Sequence, residues 1–236
     1  MAAMRGVSFA GLLSGVIHTV MIGSIAGSHS IDAPNISKHS SDSPAVNAIL
    51  LNGKIEIGDT YRLTKYISSL PRKPKLIVYL NSPGGNLVEG IELGKYFYRA
   101  GIETVLDAKA RCESACALAF LGGSASGGKA KRIKYSSASL GFRSLTRDLD
   151  KESYTGGDMK QIVRETQVVV LNIIEYLRVI GADHNLLRLM LSAQPTNMHY
   201  LSNDDAIAFG VLVWDEDKGR LIEPQTIVNR LDHSRS

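Results

Sequence analysis

Residues 75–85 read KLIVYLNSPGG, and this stretch decides the fold. The apolar run from Leu76 to Leu80 is unbroken and lies between Pro74 and Pro83. A strand half exposed to water would alternate apolar and polar residues, so a continuous run fits a parallel strand buried on both faces. The glycines at its carboxyl end serve one of two purposes. They let backbone N–H groups face a ligand, or they let a tight turn adopt positive φ. Asn86 stands where the cap of a following helix belongs.

Working outward, residues 86–100 carry Leu87, Val88, Ile91 and Tyr98 at helical spacing, and Gly90 and Gly94 allow close packing of that helix. Upstream, residues 46–53 read as a strand, followed by a helix with Asp59 as its N-cap and Leu63, Ile67 and Leu70 on one side. Downstream, the pattern predicts strands at 103–106, 132–135, 139–142 and 211–214. Helices are expected at 113–121, 158–180, 185–191 and 204–209, and residues 144–158 are polar enough for a surface loop. Strands alternating with helices imply an α/β domain around a mostly parallel sheet, spanning residues 46–225 and leaving a polar tail at 226–236.

The chain has 236 residues, 44% hydrophobic and 21% charged, which suits a folded domain and argues against wholesale disorder. A formal charge of +4 is small and scattered, and 6% aromatics leave few stacking platforms, so nucleic acid is not an expected partner. Two cysteines exclude a four-cysteine zinc site, and no other metal constellation has plausible spacing. Residues 123–129, GSASGGK, match most of a phosphate-binding loop. Ala130 occupies the Ser/Thr position and a helix precedes the stretch, so nucleotide binding is rejected.

Residues 7–27 contain no charged side chain, follow Arg5 and end among small residues, which describes a signal peptide over 1–27. The chain is therefore expected to be exported, periplasmic or secreted, or membrane-anchored if the segment is retained. Residues 28–45, rich in serine, read as a flexible linker, with His29 and His39 as solvated side chains.

The chemistry centres on residues 111–119, RCESACALA, where a short polar stretch hands over to an apolar helix. Ser114 at that junction is either a nucleophile, with the helix dipole favouring developing negative charge, or a simple helix cap. Cys112 and Cys116 lie four apart. They are either a disulfide in an oxidising compartment or two small buried side chains.

Taken together, LIVYLNSPGGNLVEGIELGKYFYRAGIETVL and ARCESACALAFLGGS resemble the proteolytic subunit of the Clp protease, within the Clp/crotonase superfamily of spiral β-β-α folds. The resemblance runs from Leu51 to Trp214 and includes KRIKYSSASLGF and YLSNDDAIAFGVLV; exported members with cysteines flanking the serine are the most similar. It implies that Ser114 is the nucleophile, that the Gly85 and Ala115 N–H groups form an oxyanion hole, and that no cofactor is needed. It also implies a homo-oligomer built through the 144–181 region, acting on peptides or unfolded protein.

The match fails at the base. Where that family carries its histidine this chain has Arg143, next to Phe142, and no acid occupies 194–197 where the third member belongs. Neither arginine nor phenylalanine accepts a proton from serine. Lys160 and Lys151 are candidates by analogy with serine–lysine peptidases of the superfamily, and His199 is the best-placed histidine. Two readings follow: an exported serine peptidase with weak or lost turnover, working without an ATPase partner, and a non-catalytic peptide-binding or assembly module on the same scaffold.

Overall fold

A computed structural model describes residues 35–72, 75–143, 153–192 and 197–224. Lys151, the expected signal segment, His29 and the 226–236 tail lie outside these residues.

The strand at the centre of the sequence reading forms over its whole length. β1 (Ile36–Lys38) and β2 (Val46–Asn52) precede α1 (Asp59–Ser69), and β3 (Lys75–Asn81) follows. Then come α2 (Leu87–Ala100), β4 (Glu103–Leu106), β5 (Arg111–Glu113), α3 (Ala115–Leu121), β6 (Arg132–Tyr135) and β7 (Ser139–Phe142). The chain continues through α4 (Gly156–Val179), α5 (Asn185–Ser192), β8 (His199–Tyr200), α6 (Asn203–Ala208), β9 (Leu212–Asp215) and β10 (Arg220–Ile222).

Seven strands form the larger sheet in the order β1-β2-β3-β4-β6-β9-β10. Its interior pairs are parallel, and only β1 on β2 and β10 on β9 run antiparallel, which is the expected α/β architecture with mixed edges. A second, three-stranded sheet has the order β5-β7-β8, with β5 parallel to β7 and β8 antiparallel to it. Sequence reading did not separate this small sheet, because β5 and β8 are three and two residues long. So short a strand carries no readable period.

α3 explains how the two sheets meet. All seven of its residues, Ala115 to Leu121, are buried, and small side chains let α2 lie directly on it. A Cβ added at Gly90 would fall 2.4 Å from the Ala115 carbonyl oxygen. The expected role of Gly90 in close packing is thus the one it plays.

Three expectations need correcting. The supposed linker is built into the fold from Asn35 onward: β1 pairs with β2, and His39 stacks on Tyr79 with ring centroids 3.6 Å apart. The stacked imidazole and tyrosine rings hold what composition alone suggested was solvated. Asp59 is not the cap of α1. Gly58 takes that place, and the buried Asp59 carboxylate instead accepts from the Glu56 N–H at 2.8 Å and from Arg62. Finally, α4 buries only Ile173, Tyr176 and Leu177, while Met159, Val163, Val168 and Leu171 stay exposed.

Candidate active site at Ser114

Ser114 joins β5 to α3 with φ 54° and ψ −116°, a backbone conformation that L-residues other than glycine avoid. Such strain costs on the order of 1–3 kcal/mol and persists only where the surroundings enforce it. Here the enforcement is visible. The Ser114 N–H donates to the Gly141 carbonyl at 2.9 Å, and the Glu113 N–H to the Ser82 carbonyl at 3.1 Å. The Ser82 N–H in turn donates to the Arg111 carbonyl at 2.7 Å. A Cys112–Cys116 disulfide, with Cα atoms 5.1 Å apart, closes around the turn.

The serine does not act as a helix cap. Its side chain makes no capping bond with α3, and its hydroxyl has no hydrogen-bond partner among the described residues. The side chain is half-buried, so the oxygen is held in place yet open to a ligand.

The loop after β3 completes the turn. A Cβ at Gly84 would sit 2.6 Å from the Glu113 carbonyl oxygen, 3.0 Å from the Ser114 Cβ and 3.3 Å from the Ala115 nitrogen. One at Gly85 would fall 2.1 Å from the Ile55 carbonyl oxygen. Both positions therefore require glycine, at φ 92° and 149°, because the loop backbone presses directly on Ser114 and on Ile55, ahead of α1. Around Gly85 the chain is pinned on both sides: the Ile55 N–H donates to the Gly84 carbonyl and the Asn86 N–H to the Ile55 carbonyl. The Gly85 N–H itself and the Ala115 N–H donate to no group among the described residues. An unbonded hydroxyl on a firmly held turn, with unpaired amides at Ala115 and on the glycine loop packed against it, is an arrangement suited to binding a carbonyl and stabilising an oxyanion formed from it.

The proton acceptor is the weak point. Arg143 follows β7 and is exposed. The small-sheet register runs from Glu113 to Gly141 to Tyr200, and one residue further on Phe142 faces His199. His199 thus lies in the row that continues from Ser114, two strands away. At a spacing of about 4.8 Å per strand, the two backbones are about 10 Å apart. It is exposed and makes no bond to Ser114. Lys160 is exposed near the start of α4 and makes no hydrogen bond or ion pair with the serine turn.

Sequence reading passed over two groups, of which the first belongs to this site. Glu113 is buried beside Ser114 and receives Arg111 Nε at 2.9 Å and the Tyr200 hydroxyl at 2.6 Å. The hydrogen bond to the carboxylate holds both the arginine and the tyrosine above their ordinary pKa ranges. Tyr200 and Met198 cross over Gly141, where a Cβ would meet them at 2.9 and 2.7 Å, so this cluster fixes β8 and with it His199. The alternation of charged residues in RCE was the only available signal. Lys134 is the second: burial pushes its ammonium down to about 8. It is committed to the Tyr135 and Ser136 carbonyls and to Asn203 Oδ1 at 2.7 Å, and sits on β6 in the other sheet.

The GSASGGK stretch folds into a tight loop in which the Ala125 N–H donates to the Lys129 carbonyl and the Ser124 hydroxyl to the Tyr98 carbonyl. No group of three or more metal-ligating side chains occurs among the described residues, and no helix among them is long and apolar enough to cross a membrane. No protein-family model matches the chain, and no curated protein is similar enough to it to count as a relative.

Proposed function

We propose that the chain is an exported serine peptidase homologue of the Clp/crotonase type, with Ser114 as nucleophile and with turnover weakened by the replacement of the base. The observation that carries this reading is the Ser114 turn: a strained backbone, an unbonded hydroxyl and two unpaired amides in one place. In the reaction the serine oxygen would attack a peptide carbonyl, its proton passing to a base, while Gly85 and Ala115 N–H groups hold the carbonyl oxygen as it becomes an oxyanion. The base is where the scheme thins. Among the described residues His199 is the group in the serine's row, and it needs either a water or a side-chain rearrangement to receive the proton. Loss of a directly bonded base costs several orders of magnitude in rate.

The exposed apolar residues of α4, Met159, Val163, Val168 and Leu171, support self-association through that helix. Export separates the chain from any ATP-driven unfoldase, so short or unfolded peptides are the substrates this reading predicts.

The test is restoration. Arg143→His should raise hydrolysis of an activated peptide ester at least about tenfold over the starting protein, consistent with adding a general base. Loss of that gain in Arg143→His combined with Ser114→Ala would tie it to the serine; no gain in a folded protein would count against the reading. A second reading is favoured by the exposed Arg143 beside the site: a non-catalytic module whose guanidinium receives a peptide C-terminal carboxylate next to the free amides. Peptide affinity unchanged in Arg143→Ala would remove it.

A further inference from the structure

β6 turns two cations inward. Arg132 and Lys134 are two apart on one face, and each is only 2% exposed. Their surroundings differ. Lys134 spends its three protons on three oxygen acceptors. Arg132 has five N–H donors, of which Nη1 alone is bonded, to the Leu121 carbonyl at 2.6 Å. Its Nε is buried without a partner, and no carboxylate pairs with it among the described residues. Burial pushes the guanidinium below its usual range, with the Tyr176 phenol as its nearest opposing influence. A buried charge without a counter-ion is among the most costly features a fold can carry.

Arg132 lines a cavity of about 530 Å³, a volume within the ordinary range for small-molecule sites. Gly210 forms part of the wall, and a Cβ there would stand 4.0 Å from Arg132 Nη2, which places that side of the guanidinium at the cavity surface. The other charged lining residues are Lys129, Lys131, Asp183 and Glu223. Asp183 is exposed and accepts from the Asn185 N–H at 2.8 Å; Glu223 and Lys129 are exposed as well. Arg132 is therefore the only buried charge of the five. None of these residues belongs to the Ser114 turn.

We propose that this cavity binds a small ligand through an oxyanion group, a carboxylate or a phosphate, received by Arg132 Nη2 at the cavity surface. The guanidinium supplies charge-assisted N–H donors to such a group, and the lysines among the lining residues favour its approach. The ligand supplies the counter-charge that the fold leaves out.

The full-length protein is titrated with inorganic phosphate and, separately, with succinate, following thermal unfolding at constant ionic strength with chloride as the reference. One of the two anions is expected to raise the unfolding temperature saturably, and which one does so identifies the source of the oxyanion. Gly210→Asp and Gly210→Asn carry the same backbone strain at φ 79° but differ in charge beside Arg132. The aspartate variant should unfold at the higher temperature and respond to the anion at least about tenfold more weakly, while the asparagine variant keeps the response. No saturable shift with either anion in the unaltered protein overturns the proposal. So does a response that survives undiminished in Gly210→Asp.

Discussion

A serine lies beside each end of α3, each close to glycines, and the two behave as opposites. At its start, Ser114 sits at positive φ with an unbonded hydroxyl against Gly84 and Gly85. Beyond its end, Ser124 is fully buried, its hydroxyl given to the Tyr98 carbonyl and its backbone bridged to Ala130. Both segments match motif fragments, yet of Ser114 and Ser124 only Ser114 keeps its hydroxyl free. Composition brings a serine to a loop; where its hydrogen bonds go decides whether chemistry remains available there.

The sharpest way to break the contrast is at the glycines. Gly85→Ala should cost more than about 3 kcal/mol, since the new methyl would overlap the Ile55 carbonyl. Gly127→Ala, with φ 86° but open space around it, should cost about 1 kcal/mol. Urea unfolding of the two variants measures both, and equal losses would erase the distinction. Next comes the disulfide. A bridge closing so short a loop between Cys112 and Cys116 contributes about 2 kcal/mol on chain entropy, so the Cys112→Ala/Cys116→Ala double variant should lose about that much.

The serines themselves give a smaller, signed difference. Ser124→Ala should destabilise by about 1 kcal/mol through its lost hydrogen bond. Ser114→Gly should stabilise by about 1 kcal/mol by releasing the positive φ, the signature of strain kept for function. If Ser114→Gly destabilises, the turn is not strained in solution.

The smallest effect extends the comparison to a buried cation whose bonds are all made. Lys134 holds its proton less tightly folded than unfolded, its folded value being about 8 against the usual 10.5. Between those values the unfolded chain binds more protons, so stability from this group rises with pH across that window and is flat below it. Relative to Lys134→Met, the protein should gain on the order of 1 kcal/mol from pH 8 to 10.5, after discounting for screening. Chemical unfolding at the two pH values checks the sign.

Most of the larger sheet was legible. β4 and β6, and β7 of the smaller sheet, have the limits expected of them, and α2 begins after the capping asparagine. The candidate serine was legible too, because a buried strand ending in glycines and a polar-to-apolar junction each leave a local pattern. What the sequence hid is non-local. β8 is two residues whose partner lies on β7, and Glu113 acquires its meaning only when Tyr200 arrives across Gly141. β1 was hidden by composition: polar residues are tolerated on an edge strand with one face to water, so Ile36 alone marks it. Arg132 leaves no signal in the local sequence, and only burial without a partner distinguishes it.

The central claim is that Ser114 is held as a nucleophile. Labelling of the purified protein with a fluorophosphonate probe, with Ser114→Ala as control, tests it most directly. Slow labelling at one site is expected, lost in Ser114→Ala and accelerated in Arg143→His. A folded protein that takes no label, even with Arg143→His in place, would contradict it.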